Sequence, residues 1–175
     1  MPETYFLLTS RDQRQDNYVF FIEDRHGLHR RSRYDKYACT ECGKINENRA
    51  IADGIDEDVL IQSHDDLVCS DDGLYLASAR FALFLKEAGI AGIELIPLPG
   101  ESKYEIVNPK LLVPTNREAC GSRFGRRCER CGRYREVYGI PEISAMLNPP
   151  KTMAIFASDV WLETKLARNT ILFCN

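Results

Sequence analysis

Two short elements of this chain have the residue types and spacing to hold a metal ion. Cys39-Thr-Glu-Cys42-Gly43 and Cys128-Glu-Arg-Cys131-Gly132 each carry two thiols three positions apart with glycine directly after. At that spacing a tight turn can aim both sulfurs at one point, and the glycine permits the turn and lets backbone N–H groups approach the sulfurs. Two such knuckles supply the four thiolates of a tetrahedral zinc site: Cys39, Cys42, Cys128 and Cys131. The 85 residues between Cys42 and Cys128 are far more than a compact zinc finger uses. The ion would staple two distant parts of the fold, and closing so long a loop points to structural Zn2+. Four thiolates leave no coordination position for a catalytic water.

Three other readings of the pairs stay open at this level. A thioredoxin-like redox pair sits at a helix N-terminus after a strand, and neither pair is followed directly by an amphipathic helix. Two disulfides would need an oxidising compartment. A pair of knuckles that has lost its metal is the third. The compartment is read from the cysteine count, which is seven and so cannot pair completely. Met1 to Asp12 shows no basic then apolar signal pattern. The apolar stretch Leu74 to Leu98 is broken by Arg80, Lys86 and Glu87, which excludes a membrane span. A reducing cytoplasm is expected, where cysteines serve as metal ligands or buried thiols.

The other reactive residues offer less. Cys120 reads as a buried thiol or an extra ligand, and Cys69 and Cys174 as core residues in apolar strands. His26 and His29 lie among Arg25, Arg30, Arg31 and Arg33, where an exposed loop is expected. His64-Asp65 resembles a base and its orienting carboxylate in composition only. No nucleophile elbow, phosphate loop, dinucleotide fingerprint or zinc-protease motif is present. Enzyme catalysis is therefore the weaker class, and no catalytic residue is assigned.

Charge is concentrated in two places. Segment 50–79 holds eight acids and no Lys or Arg: Asp53, Asp56, Glu57, Asp58, Asp65, Asp66, Asp71 and Asp72. Segment 117–135 holds seven arginines and two glutamates. Either run can be an ordinary solvated surface. Alternatively, the acids meet a basic partner and the arginines meet a phosphate or an acidic surface.

The elements that must position these groups read as short strands and a few helices. Thr4 to Thr9, Tyr18 to Glu23, Val59 to Gln62, Leu67 to Cys69, Ile90 to Leu98, Tyr104 to Val107, Met153 to Phe156 and Thr170 to Cys174 are strand-like. Ala77 to Gly89 is the clearest helix, with Ser78 as N-cap, Gly89 as terminator and Phe81, Phe84, Leu85 and Ala88 as its apolar stripe. Pro141 to Leu147 and Ser158 to Arg168 are further helices. Arg25 to Lys36 and Pro114 to Gly125 are loops. With Phe81 set on Trp161, Ala77-Ser78 matches Ala157-Ser158 and Gly89 falls on Asn169. This suggests two halves, residues 1–113 and 114–175, each a knuckle followed by strand, helix and strand; coincidence is the competing account. The expected fold is α+β, one compact domain over 1–175 with duplicated halves joined by a zinc-ribbon-like site.

The doubled Cys-x-x-Cys-Gly, the second continuing to Arg133, resembles the double-CxxCG motif family of bacterial immunity proteins of the myxobacterial swarming-inhibition type. The ending Met153-Ala-Ile-Phe-Ala-Ser158, a helix and Ile171-Leu-Phe173 is similar to the family's, and Tyr75 to Phe81 with Ala88 to Leu95 resembles a helix–strand element of bacterial immunity families. The match spans roughly residues 39–175 and consists of motifs. It implies a protein that binds a cognate polymorphic or contact-delivered toxin in the cytoplasm and occludes its active site without catalysis. On that reading the eight acids of 50–79 would cover a basic toxin cleft, with electrostatic steering speeding association.

The alternative is a zinc-ribbon nucleic-acid binder. It would use Arg123, Arg126, Arg127, Arg130, Arg133 and Arg135, with Phe124 and Tyr134 for stacking. The acidic segment and the net charge of −3 count against it.

Overall fold

Alternating side chains give a strand two faces, and here both faces are apolar. The computed structural model describes residues 6–8, 17–100, 103–116, 123–138, 142–143, 152–159, 162–163, 168–169 and 172–174. In chain order its first half comprises β1 (Phe6–Leu8), β2 (Asn17–Tyr18), β3 (Phe21–Asp24), β4 (Gly27–Arg30), a 3-10 helix (Ser32–Tyr37), α1 (Glu47–Ala52), β5 (Leu60–Ile61), β6 (Leu67–Cys69), β7 (Tyr75–Ser78), α2 (Ala79–Glu87), β8 (Ile93–Pro97), β9 (Tyr104–Pro109) and β10 (Leu112–Val113). The second half adds β11 (Thr115–Asn116), β12 (Arg123–Phe124), β13 (Val137–Tyr138), β14 (Glu142–Ile143), β15 (Ile155–Ser158), β16 (Leu162–Glu163), β17 (Arg168–Asn169) and β18 (Leu172–Cys174). The α+β class follows directly.

The centre is an antiparallel sheet in the order β6-β7-β9-β8. Its register lines up Val68, Leu76, Ile106 and Ile96 across one face, and Cys69, Tyr75, Val107 and Leu95 across the other. The first face packs with Val19, Phe20, Tyr34, Ile45 and Ala50. Phe20 meets the Tyr34 ring edge-on at 5.0 Å, and the Tyr34 hydroxyl accepts from Asp56 N at 2.9 Å. Ile45 lies just past the first knuckle, so this core anchors that half of the metal site. The second face packs with Ala82 and Leu85 of α2 and with Ile155 and Ala157 of β15.

A second sheet, β1-β18-β15-β10, joins the first at Ala91. Ala91 N donates to Met153 O at 3.1 Å, and Ile155 N donates to Ala91 O at 3.0 Å. The next residue must be glycine: Gly92 has φ +82, and a Cβ there would run into Ile155 O.

α2 forms as expected at its ends. Ser78 Oγ accepts from Phe81 N at 3.2 Å, and Gly89 takes φ +62. Its inward face differs from the expected stripe. Ala82 and Leu85 are buried, whereas Phe84 is 54% exposed and stacks on Phe81 at 6.0 Å. Three other expectations are overturned. Arg25 to Lys36 is not a loop: it supplies part of the β3–β4 hairpin, turned at Gly27 with φ +107, and the 3-10 helix. The helix over Pro141 to Leu147 is absent at Glu142–Ile143, a strand paired with Thr115–Asn116. The helix over Ser158 to Arg168 gives way to β16 and β17, an antiparallel pair. Ser158 is not a cap but a buried strand residue opposite Val113. Asp159 then accepts from both N and Oγ1 of Thr115, at 2.9 and 2.7 Å. Strand pairing and this turn outweigh the local helix preference. The two halves are not shown to be copies: α2 follows β7, but a strand pair follows β15. Among the described residues no helix is long and apolar enough to cross a membrane.

Candidate metal centre

The two knuckles have the same backbone. Cys39 N donates to Lys44 O at 2.8 Å and Gly43 N to Cys39 O at 2.7 Å; Cys128 N donates to Arg133 O at 2.7 Å and Gly132 N to Cys128 O at 2.9 Å. Gly43 and Gly132 both take the left-handed conformation that closes the turn, φ +74 and +72. Each knuckle sits at the tip of a short antiparallel ribbon, marked by the bridges Ala38–Ile45 and Arg127–Tyr134.

The fold brings the tips together. Cys39 Sγ lies 3.8 Å from Cys128 Sγ, and Cys42 Sγ lies 3.5 Å from Cys131 Sγ. All four sulfurs fall within 4.8 Å of one another. Sulfurs bound tetrahedrally at about 2.3 Å from one ion lie about 3.8 Å apart, so the set fits a metal ion and is compatible with zinc. The two thiols of the first knuckle are driven apart. N–H groups of Cys42 and Glu41 aimed at Cys39 lower it to about 6. Burial, with the neighbouring sulfurs, pushes Cys42 up to about 12. Crowded sulfurs cannot all carry charge unaided, and a divalent cation removes that conflict.

The tips are also latched by side chains that the motif reading passed over. Lys44 Nζ donates to Tyr134 O at 2.5 Å and to Arg135 O at 3.1 Å. Reciprocally, Arg133 Nη1 donates to Ile45 O at 2.6 Å. Lys44 and Arg133 occupy the same place, directly after each motif glycine, so each knuckle sends one cation to the other's backbone. Arg133 also forms a two-pronged pair with buried Glu47, at 2.8 and 3.2 Å. A further matched pair caps the glycine carbonyls: Arg30 Nη1 to Gly43 O at 2.7 Å and Arg127 Nε to Gly132 O at 2.6 Å. The shared basic residue after each glycine was the available signal for the latch. Beside it, a cleft of about 670 Å³ is lined by residues that include Glu47, Arg133, Tyr75, Ile106, Lys110 and Asp159.

The eight acids of 50–79 differ in burial and in partners. Asp53 pairs with Lys36 at 2.8 Å and Asp56 with Arg33 at 2.5 Å. Asp66 is gripped by Arg80 and accepts from Ser78 Oγ at 2.7 Å. Asp71 Oδ2 accepts from Asn17 N at 2.9 Å, and Asp65 is half-buried. As a partner contact Asp72 is ruled out, because it is 4% exposed. Its carboxylate accepts from Val19 N at 2.7 Å, Phe20 N at 2.5 Å and Ser70 Oγ at 2.6 Å. Glu57 and Asp58 are exposed; Arg31 donates to the Asp58 carbonyl, and neither carboxylate has a partner among the described residues.

Cys69 is half-buried at the edge of the second core, and burial pushes its thiol up to about 12, so it is not a thiolate at neutral pH. Cys174 packs at the same edge, and Cys120 lies outside the described residues. His26, His29 and His64 are exposed and join no metal-binding group among the described residues. No family model matches the chain, and no match was found among curated proteins or among solved structures.

Proposed function

We propose that this chain is a zinc-stapled binding protein of the immunity type, neutralising a cognate bacterial toxin domain by covering its active site. The four-cysteine cluster is the observation that carries the reading. It draws residues 39–42 and 128–131 together across a long loop, and an ion there has all four positions filled by protein. Such an ion is structural Zn2+, and the work left to the surface is recognition. The doubled motif, by its resemblance to the double-CxxCG family, supplies the class of partner.

Co-expression with the product of the adjacent reading frame tests the reading. The two should co-purify, and the chain should restore growth to cells producing that toxin. Soluble, metal-loaded chain that neither binds nor protects would overturn it. Metal analysis with thiol titration checks the staple: about one zinc per chain is expected, with four thiols protected until the metal is removed. The nucleic-acid reading draws on the exposed arginines beside the second knuckle, and the probes described next separate it from this one.

A further inference from the structure

Residues 123–138 form an antiparallel ribbon with the second knuckle at its tip. Arg123 stands opposite Tyr138, and Phe124 opposite Val137. Gly125 N donates to Glu136 O at 2.8 Å and Arg135 N to Arg126 O at 2.9 Å. Directly opposed residues share a face. Val137 is buried, which leaves Arg123 and the 51% exposed Tyr138 together on the outward side. Arg126, Arg127, Arg130 and Arg135 are exposed as well.

These guanidinium groups are poorly neutralised. The Arg126–Glu129 pair spans 3.8 Å and the Arg135–Glu41 pair 3.6 Å. Arg123 and Arg130 have no acidic partner among the described residues. The same register sets Arg126 opposite Arg135, and like charges placed so are destabilising. Folding gains nothing from that arrangement, whereas a contact surface does.

We propose that this arginine–tyrosine ribbon is the surface on which the chain docks an acidic protein surface. The proposal deepens the reading of the chain as a binding protein and rests on it. Arginine beside exposed tyrosine is the composition of interface hot spots. The segment uses arginine and never lysine, and the guanidinium fork fits a carboxylate through two parallel hydrogen bonds. Phosphate would accept the same fork, but the intervening acids decide between them. Glu129 is 85% exposed, Glu136 is exposed and Glu41 borders Arg135. Each would repel a polyphosphate backbone, which is charged at every nucleotide, whereas the carboxylates of an acidic protein surface are separated by neutral residues and can straddle them.

The test compares the metal-loaded chain with a variant carrying Arg123→Glu, Arg126→Glu and Arg130→Glu, none of which touches the latch. The probes are a synthetic Glu-Tyr peptide and single-stranded DNA and RNA of the same net charge. At low salt the chain should bind the peptide more tightly than either oligonucleotide. The variant should lose about tenfold in peptide affinity, with metal content and melting temperature unchanged. Oligonucleotides bound as tightly as the peptide would overturn the proposal in favour of a nucleic-acid face. No binding of any probe, or equal binding by the variant, would reduce the ribbon to solvated surface and overturn it too. The peptide measurement does not involve the adjacent-frame toxin, so failure of that toxin to bind counts against the immunity reading alone. A toxin complex indifferent to the three reversals would leave immunity standing and remove the ribbon from it.

Discussion

The acidic segment 50–79 and the arginine ribbon 123–138 carry opposite charge, and the fold uses the two in opposite ways. Five of the eight acids are engaged within the chain: Asp72 in the core, Asp71 on the backbone of Asn17, and Asp53, Asp56 and Asp66 on cations of the same chain. The segment also delivers Val68, Leu74 and Leu76 to the first hydrophobic cluster. The ribbon places Val137 and Cys128 among the buried residues, turns Arg133 into the latch, leaves Arg123, Arg126, Arg127, Arg130 and Arg135 exposed and meets the body at the four-cysteine cluster. Charge count alone therefore does not separate charges that serve the fold from charges left open to solvent. What matters is whether a charge already has a partner in the fold.

Removing the ion should break this comparison most completely. Structural zinc sites bind with apparent free energies on the order of 10 kcal/mol or more, and the ribbon has little core of its own to replace that. Chelation, or Cys128→Ser, should release residues 123–138 while the central sheet stays folded. Hydrogen exchange checks this: fast exchange at Gly125 and Arg135, with Leu76 and Ile106 still protected, is expected. Uniform loss of protection would show that the staple holds the whole domain.

Asp72 is the next largest effect. Asp72→Ala leaves the N–H groups of Val19 and Phe20 buried without their acceptor and should cost about 3 kcal/mol, measured by urea unfolding. Burial raises the Asp72 pKa even though Ser70, Phe20 and Val19 donate to it, so Asp72→Asn should be milder than Asp72→Ala. Glu57→Lys with Asp58→Lys, in the same segment but exposed, should leave stability within about 0.5 kcal/mol. Equal losses from the two changes would mean that the segment is not divided into structural and free acids.

How far these features could be read in advance depended on how local their physics is. The clustering cysteine pairs, the Ser78 cap, the Gly89 terminator and the strand runs of β6, β8 and β9 rest on short-range patterns, and they appear where those patterns place them. Asp72 could not be told from Asp58 by composition, because what separates them is the distant backbone of Val19 and Phe20. The outward turn of Phe84 and the strand pair in place of the Ser158 helix likewise depend on packing and pairing, including Val137 opposite Glu163, that the helical pattern does not encode. The latch fell between these cases: its basic residues stood in plain register after both glycines, but their targets lie across 90 residues of sequence.

On the ribbon side, Arg126→Glu turns a like-charge cross-strand pair with Arg135 into an opposite-charge one. It also gives up the 3.8 Å pair with Glu129, so the two changes offset and stability should stay within about 0.5 kcal/mol while binding of the acidic peptide weakens. Binding lost without stability is the signature of a charge retained for contact. Losses in both would mean that Arg126 supports the fold.

The smallest effect lies among the paired acids. Asp66 has its pKa lowered, first by Arg80 and then by the Ser78 hydroxyl. A carboxylate depressed in the folded state binds its proton more readily when unfolded, so stability rises with pH through this range. The contribution is present above the ordinary aspartate value of 3.8 and disappears as pH falls through the lowered folded-state value. Asp66→Asn should therefore melt slightly below the parent at neutral pH, and the gap should close on acidification. Because Arg80 is exposed and Asp66 only half-buried, raising the salt concentration should shrink the neutral-pH gap as well. A gap that persists at low pH would trace the stabilisation to the Ser78 hydrogen bond at the head of α2 rather than to the ion pair.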